Sequence, residues 1–210
     1  MDWAIIWHYR AALWDGLLQT LQLSVVGCVG SLVLGTLVGC VAALRGYLPR
    51  QLTSVYIESL RNVPVIVKLV IFYYVVGLDA VTSSYLALIV HQSAYIANVI
   101  AAGLRTIPSE QVESARASGL SYRQCFLYVQ LPQAARITIP PMTNQFIEVV
   151  KNSAVVMLIG VSELTYQAQQ IESDTFRGFE ATTTVTLLYI LVTFAIVVGM
   201  AAVERRFAPR

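Results

Sequence analysis

Charge is what this sequence has least of. Its 14 Lys and Arg and 12 Asp and Glu make up 12% of 210 residues, about half the share of an ordinary soluble domain. With 57% hydrophobic side chains and a mean hydropathy of +0.66, the composition argues against a water-soluble globule. The net charge of +2 and the lack of a long basic stripe exclude a nucleic-acid protein. Cysteine is also scarce: Cys28, Cys40 and Cys125 fit no disulfide framework and read as small apolar filler. The two histidines, His8 and His91, have no second His or Cys at ligand spacing, so a metal site has no support. There is no Gly-Lys dipeptide, hence no Walker A motif to cradle nucleotide phosphates. There is no G-x-S-x-G elbow, hence no serine nucleophile paired with a base, and an intramembrane enzyme is disfavoured. No basic segment or processing site marks the first apolar run as a secretory signal, so it is expected to stay as a membrane helix.

The few charges are unevenly spread. Leu17 to Leu44, Val81 to Leu104 and Ala181 to Val203 contain none, and each is long enough for a bilayer that needs about 20 apolar residues. Two less clean stretches lie between them: Val63 to Leu78, interrupted by Lys68, and Ile137 to Ser162, holding Glu148 and Lys151. The expectation is a single all-α membrane domain over residues 1–210, with five spans at about 17–44, 54–78, 81–104, 137–162 and 181–203. Basic residues orient it. Arg45 and Arg50 follow span one, Arg105, Arg116, Arg123 and Arg136 follow span three, and Arg205, Arg206 and Arg210 follow span five. Those segments read as cytoplasmic. The alternate connections carry Asp79 alone, or four acids against Arg177, which places them and the N-terminus outside.

Gly27, Ser31, Gly35 and Gly39 recur every four residues, a stripe on which another helix can pack closely. Pro64, between Arg61 and Lys68 on one face of span two, predicts a kink. Arg61 is expected to snorkel to the cytoplasmic boundary.

The connection Thr106 to Pro132 runs to about 27 residues, well beyond the two to eight usual between bundle helices. Ser109, with Glu110 and Glu113 in the next turn, predicts a helix start, and Gly119 a helix stop. Ser121 and Gln124 form a capping box opening a second helix, which Pro132 is expected to end. A hairpin of this kind, carrying Leu120, Phe126, Leu127 and Val129, is either a docking knob for a partner protein or an amphipathic element lying among lipid headgroups.

A resemblance gives that connection a meaning. Glu113-Ser-Ala115, three residues, Gly119, nine residues, then Val129-Gln-Leu131-Pro132 resembles the EAA loop of ATP-binding-cassette importer permeases, whose pattern is EAA, three, G, nine, I-x-LP. Asn62-Val-Pro64, Tyr73-Tyr74, Ala94-Tyr95-Ile-Ala97, Ile107-Pro108, Gln111, Leu131-Pro-Gln-Ala134, Pro140-Pro141, Asn144 and Lys151 are similar to residues of the polar amino-acid (histidine/glutamine-type) permeases. The likeness runs from about residue 14 to the end.

That resemblance implies a permease subunit in a bacterial inner (plasma) membrane, moving polar amino acids by alternating access. Its partners would be two ATPase subunits, a second permease subunit (identical or paralogous) and a periplasmic substrate-binding protein. ATP and Mg would be bound by the ATPase, with no cofactor in this chain and no enzymatic activity of its own. Glu113, Ala115, Arg116, Gly119, Leu131 and Pro132 would shape the coupling helix, the acid as its cap and Gly119 as its corner. The chain departs from the family pattern at Arg61-Asn-Val-Pro64, at Asn98, Ala101 and Ala102, at Glu110, and at Lys151-Asn152-Ser153-Ala154. A permease for another small solute, such as an opine or compatible solute, and a non-transporting anchor for an ATPase are the alternatives.

Charges inside a span cost a few kcal/mol each and point to a pathway or a pair. Glu148 and Lys151, at i and i+3, can pair, and Asn152 lies one turn beyond Glu148. Together they would offer complementary groups to a zwitterion, or they neutralise one another at a subunit interface. His91, Tyr95 and Asn98 form a second polar stripe that would line the same cavity.

Overall fold

A computed structural model describes residues 3–44 and 46–207; Arg45 and Arg210, two of the nine basic residues behind the expected orientation, lie outside them. The described residues form ten α-helices and contain no strand. A short α1 (Ala4–His8) leads into α2 (Arg10–Ala42), whose 33 residues extend about 50 Å at 1.5 Å per residue. Then come α3 (Tyr47–Asn62), α4 (Val65–Val70), α5 (Ala80–Arg105), α6 (Ser109–Ala117), α7 (Tyr122–Cys125), α8 (Leu131–Ser153), α9 (Leu164–Thr175) and α10 (Gly178–Phe207).

Three helices are long and apolar enough to cross a membrane: α2, α5 and α10. The other two apolar stretches are built differently. The expected kink at Pro64 is a full interruption: Val63 is extended (φ −99°, ψ 125°), as the residue before a proline tends to be, and α3 and α4 are separate helices. Arg61 and Lys68 therefore share no helix face. After α4 the backbone widens into a π turn, Ile71–Val75. The stretch 137–162 is the later part of α8 followed by a 3-10 turn, Ala154–Ile159, closed by Gly160 at φ 80°.

The small-residue stripe is a packing surface. Gly27, Ser31, Gly35 and Gly39 are all buried on α2. A Cβ added at Gly35 would lie 2.7 Å from the Ser93 carbonyl oxygen of α5, so that pair of backbones meets only because there is no side chain between them. The N-terminal half of α2 holds α9, a helix that the acidic connection 163–180 did not announce. Glu163, wholly buried, caps α9 by accepting hydrogen bonds from the Thr165 and Tyr166 amides, and Tyr189 Oη of α10 donates to it at 2.6 Å. Leu164 N donates to Thr20 Oγ1 of α2 at 3.1 Å. Burial lifts the Glu163 carboxyl above the usual carboxylate range, against the pull of those donors. Leu13, Leu164, Ile171 and Ala181 fill the space beneath this corner.

Candidate functional site

Two regions carry the polar chemistry, one inside the helix bundle and one at its end. The first grows from the interruption at Val63–Pro64. A helix end leaves carbonyls without amide partners, and at the end of α3 those of Leu60 and Val63 belong to half-buried residues. Lys68, on α4, supplies the donors: Nζ lies 2.7 Å from the Leu60 carbonyl oxygen and 2.6 Å from that of Val63. Side chains on a helix tilt toward its N-terminus, so a lysine four residues past the proline points back at the break. Its third hydrogen bond goes to His91 Nδ1 on α5, at 2.9 Å. Lys68 is 5% exposed, and among the described residues the only ion pairs are Lys151–Glu148 and Arg177–Glu180, so its charge is met by oxygen and nitrogen lone pairs rather than by a carboxylate.

Tyr95 continues the cluster. Its ring packs edge-on to His91 with centroids 5.2 Å apart, its hydroxyl donates to the Arg61 carbonyl oxygen at 3.3 Å, and the Arg61 guanidinium sits 5.2 Å above its ring. Arg61 is thus held against α5 through a cation–π contact. Asn98, one turn further along α5, opens instead into a separate cleft of about 200 Å³ lined also by Ser54, Glu58, Arg61 and Arg105. On α8, Lys151 Nζ meets Glu148 Oε1 at 3.2 Å, the pairing the spacing implied. Neither side chain is buried within this chain, being 61% and 50% exposed, and Asn152 is half-buried.

The second region is the hairpin of residues 106–132. Ser109 begins α6 as its first helical residue; Pro108 precedes it with no side-chain cap. Glu113 lies exposed in the body of α6 and does not cap it, which corrects the expectation. The corner follows the sequence closely. Gly119 adopts φ 88°, Leu120 N donates back to the Ala115 carbonyl oxygen at 3.2 Å, and Arg116 Nη1 donates to the Leu120 carbonyl oxygen at 2.9 Å. The Arg116 guanidinium also stacks 4.0 Å over the Tyr122 ring. The capping box is formed in both directions, Gln124 N to Ser121 Oγ and Ser121 N to Gln124 Oε1. Ala115 is half-buried, and Gln133 Nε2 ties α8 to α6 through Gln111 Oε1 at 2.7 Å.

Pro132 does not end the second helix. The chain opens into a π turn, Phe126–Gln130, and runs on into α8 with Leu131 and Pro132 in its first turn. Proline there has no amide to give and its ring crowds the carbonyl four residues back; the wider π spacing, with Leu131 N on the Phe126 carbonyl oxygen, absorbs both. The hairpin therefore runs on without a break into α8, the helix that carries Glu148 and Lys151.

Residues 35–209 match the family described as the binding-protein-dependent transport system inner membrane component. The chain belongs to that family. Among inner membrane components of known description, it is 35% identical to the probable glutamine ABC transporter permease protein GlnM of Bacillus subtilis (strain 168), over 98% of each chain. It is 32% identical to the glutamine transport system permease protein GlnP of Escherichia coli (strain K12), over 98% of this chain and 97% of that one. Its fold superposes with a TM-score of 0.90 on a chain from the crystal structure of an amino acid ABC transporter with histidines, at 30% identity over 98% of this chain and 99% of that one. This chain is thus an ABC permease by fold and by family.

The sequence had named His91, Tyr95, Asn98, Glu148, Lys151 and Asn152; it had not named Lys68, read only as a flaw in span two. A lysine four residues after a proline break in an otherwise apolar run was the available signal.

Proposed function

We propose that this chain is the membrane-spanning subunit of an ATP-driven importer of polar amino acids. It crosses the inner membrane five times, with the N-terminus outside and the C-terminus in the cytoplasm. In this reading α2, α5 and α10 are single spans, α3 with α4 forms an interrupted one, and α8 with its 3-10 turn forms another. The apolar run Val65–Val75 is about 16 Å at 1.5 Å per residue, too short for a 30 Å core, so α3 completes the crossing.

The hairpin is the coupling element, with α6 seated in a groove of a separate ATPase that binds ATP and Mg. Glu113, Ala115, Arg116 and Gly119 shape it, and Leu131 and Pro132 transmit its movement into α8. His91, Tyr95, Asn98, Glu148, Lys151 and Asn152 line the route along which ammonium and carboxylate groups of the cargo are met in turn. A second permease subunit, identical or paralogous, closes the pore, and a periplasmic binding protein delivers the cargo.

The observation that carries this reading is the likeness over nearly the whole chain to permeases named for glutamine, joined to the continuous hairpin-to-α8 path. Reconstitution into liposomes with the candidate ATPase and binding protein tests it. ATP-dependent uptake of a polar amino acid is expected, and Gly119→Trp should abolish it while the protein still inserts. Uptake unaffected by that substitution would overturn the coupling role.

A further inference from the structure

The lysine at the helix interruption has an arrangement that the transport reading does not require. An ammonium has three donors and no acceptor. Two of those of Lys68 go to the Leu60 and Val63 carbonyl oxygens at the end of α3, and the third points at His91 Nδ1, all between 2.6 and 2.9 Å. With Lys68 as the ammonium, which only donates, Nδ1 accepts and the ring proton resides on Nε2. Lys68 thereby connects three helices: its own α4, the end of α3, and α5. Tyr95, one turn along α5, holds the carbonyl between those two, that of Arg61. The exposed ends of α3 and α4 are thus fastened to α5 entirely by side chains.

We propose that Lys68 is a positioning residue: its ammonium braces the α3–α4 interruption against α5 and fixes His91 in the tautomer that carries its proton on Nε2. That leaves Nε2–H as the ring's one donor. The consequence for transport rests on the reading of His91 as a pathway residue: the imidazole offers a hydrogen-bond donor to a passing carboxylate or amide oxygen only while Lys68 holds the other nitrogen. The orientation of His91 itself does not depend on that reading.

The chain has only two histidines and two lysines, which makes the proposal directly measurable. Solid-state nitrogen NMR on His8→Gln protein labelled in histidine and lysine, in bilayers, should give one imidazole with Nδ1 unprotonated, Nε2 protonated, and a through-space contact from Nδ1 to a lysine Nζ. In Lys68→Met the Nδ1 resonance should shift, and in Lys68→Arg it should stay near its original position. A proton on Nδ1, absence of the lysine contact, or a spectrum indifferent to Lys68→Met would overturn the proposal. Should Lys68→Met fail to accumulate, the unsubstituted Lys68 protein decides by itself.

In the reconstituted complex, Lys68→Met should lower the import rate on the order of tenfold, about what a single unmet buried acceptor costs. The double variant Lys68→Met/His91→Leu should then be no worse than Lys68→Met alone, because the two act as one unit. Additive losses would contradict the link to His91. If the complex with unsubstituted Lys68 imports no amino acid, the transport reading fails while the NMR result on the brace stands or falls separately.

Discussion

The interruption at Val63–Pro64 and the corner at Gly119 meet the same physical requirement by opposite means. Each ends a helix and must find partners for its last carbonyls. At Gly119 everything comes from close by: the amide of Leu120 turns back to Ala115, Arg116 reaches Leu120, and Ser121 with Gln124 starts the next turn. At Val63–Pro64 only Lys68 is local, and it is secured by His91 and Tyr95, 23 and 34 positions from their partners. Gly119 is exposed; at the interruption Arg61, Asn62 and Pro64 are exposed as well and Leu60 and Val63 half-buried, so what is buried there is the Lys68–His91 brace. A locally built turn can be displaced by a partner and reform, whereas one held by distant side chains fixes the helices around it.

Substitutions should separate the two. The largest loss of stability is expected at the interruption: Lys68→Met strips donors from two half-buried carbonyls and a buried imidazole, a buried acceptor left unmet costing about 1–3 kcal/mol. Thermal unfolding in detergent should show a large fall in Tm, and an unchanged Tm would break the contrast. At the corner, Gly119→Val forces a β-branched residue to φ 88° at a cost of about 1–2 kcal/mol. Nothing lies within 4 Å of a Cβ added there, so the damage should remain local, with α6 amides losing protection from hydrogen exchange while α5 amides keep theirs. Ser121→Ala removes one side of the capping box, about 1 kcal/mol, read as faster exchange confined to α7 and the following π turn. The smallest effect is expected from exchanging Glu148 and Lys151 for one another. The pair is half-exposed within this chain, so Tm of the isolated subunit should move by no more than about 0.5 kcal/mol equivalent.

The same contrast explains what could be read from the sequence. The corner was legible because its parts are neighbours: a glycine stop, an S-x-x-Q box and a fixed spacing from Glu113 to Pro132 specify it without reference to the rest of the chain. The charge-free windows behind α2, α5 and α10, and the small-residue stripe facing α5, were legible for a similar reason, since periodicity and run length are local quantities. What escaped was everything set by a distant partner. Pro132 was expected to stop a helix because the sequence does not reveal that a π turn will absorb it. Glu113 was expected to cap α6, yet it lies in the body of that helix and is exposed. Helix α9 was missed because its cap, Glu163, is stabilised by Tyr189 and its first amide by Thr20, residues 26 and 144 positions away. Lys68 was missed because its meaning depends on His91.

His91 and Tyr95 do touch, and Glu148 and Lys151 do pair, but Asn98 opens into its own cleft.

In the proposed function the hairpin drives a pathway through this subunit for polar amino acids. The measurement that tests it most directly is uptake of labelled amino acid by proteoliposomes holding the chain with its ATPase and binding protein, run in parallel with ATP hydrolysis. The account predicts import that needs ATP and is abolished by Gly119→Trp, while the ATPase continues to hydrolyse ATP without moving cargo. Import that persists at full rate in Gly119→Trp, or hydrolysis stimulated by cargo with no uptake in the original chain, would contradict it.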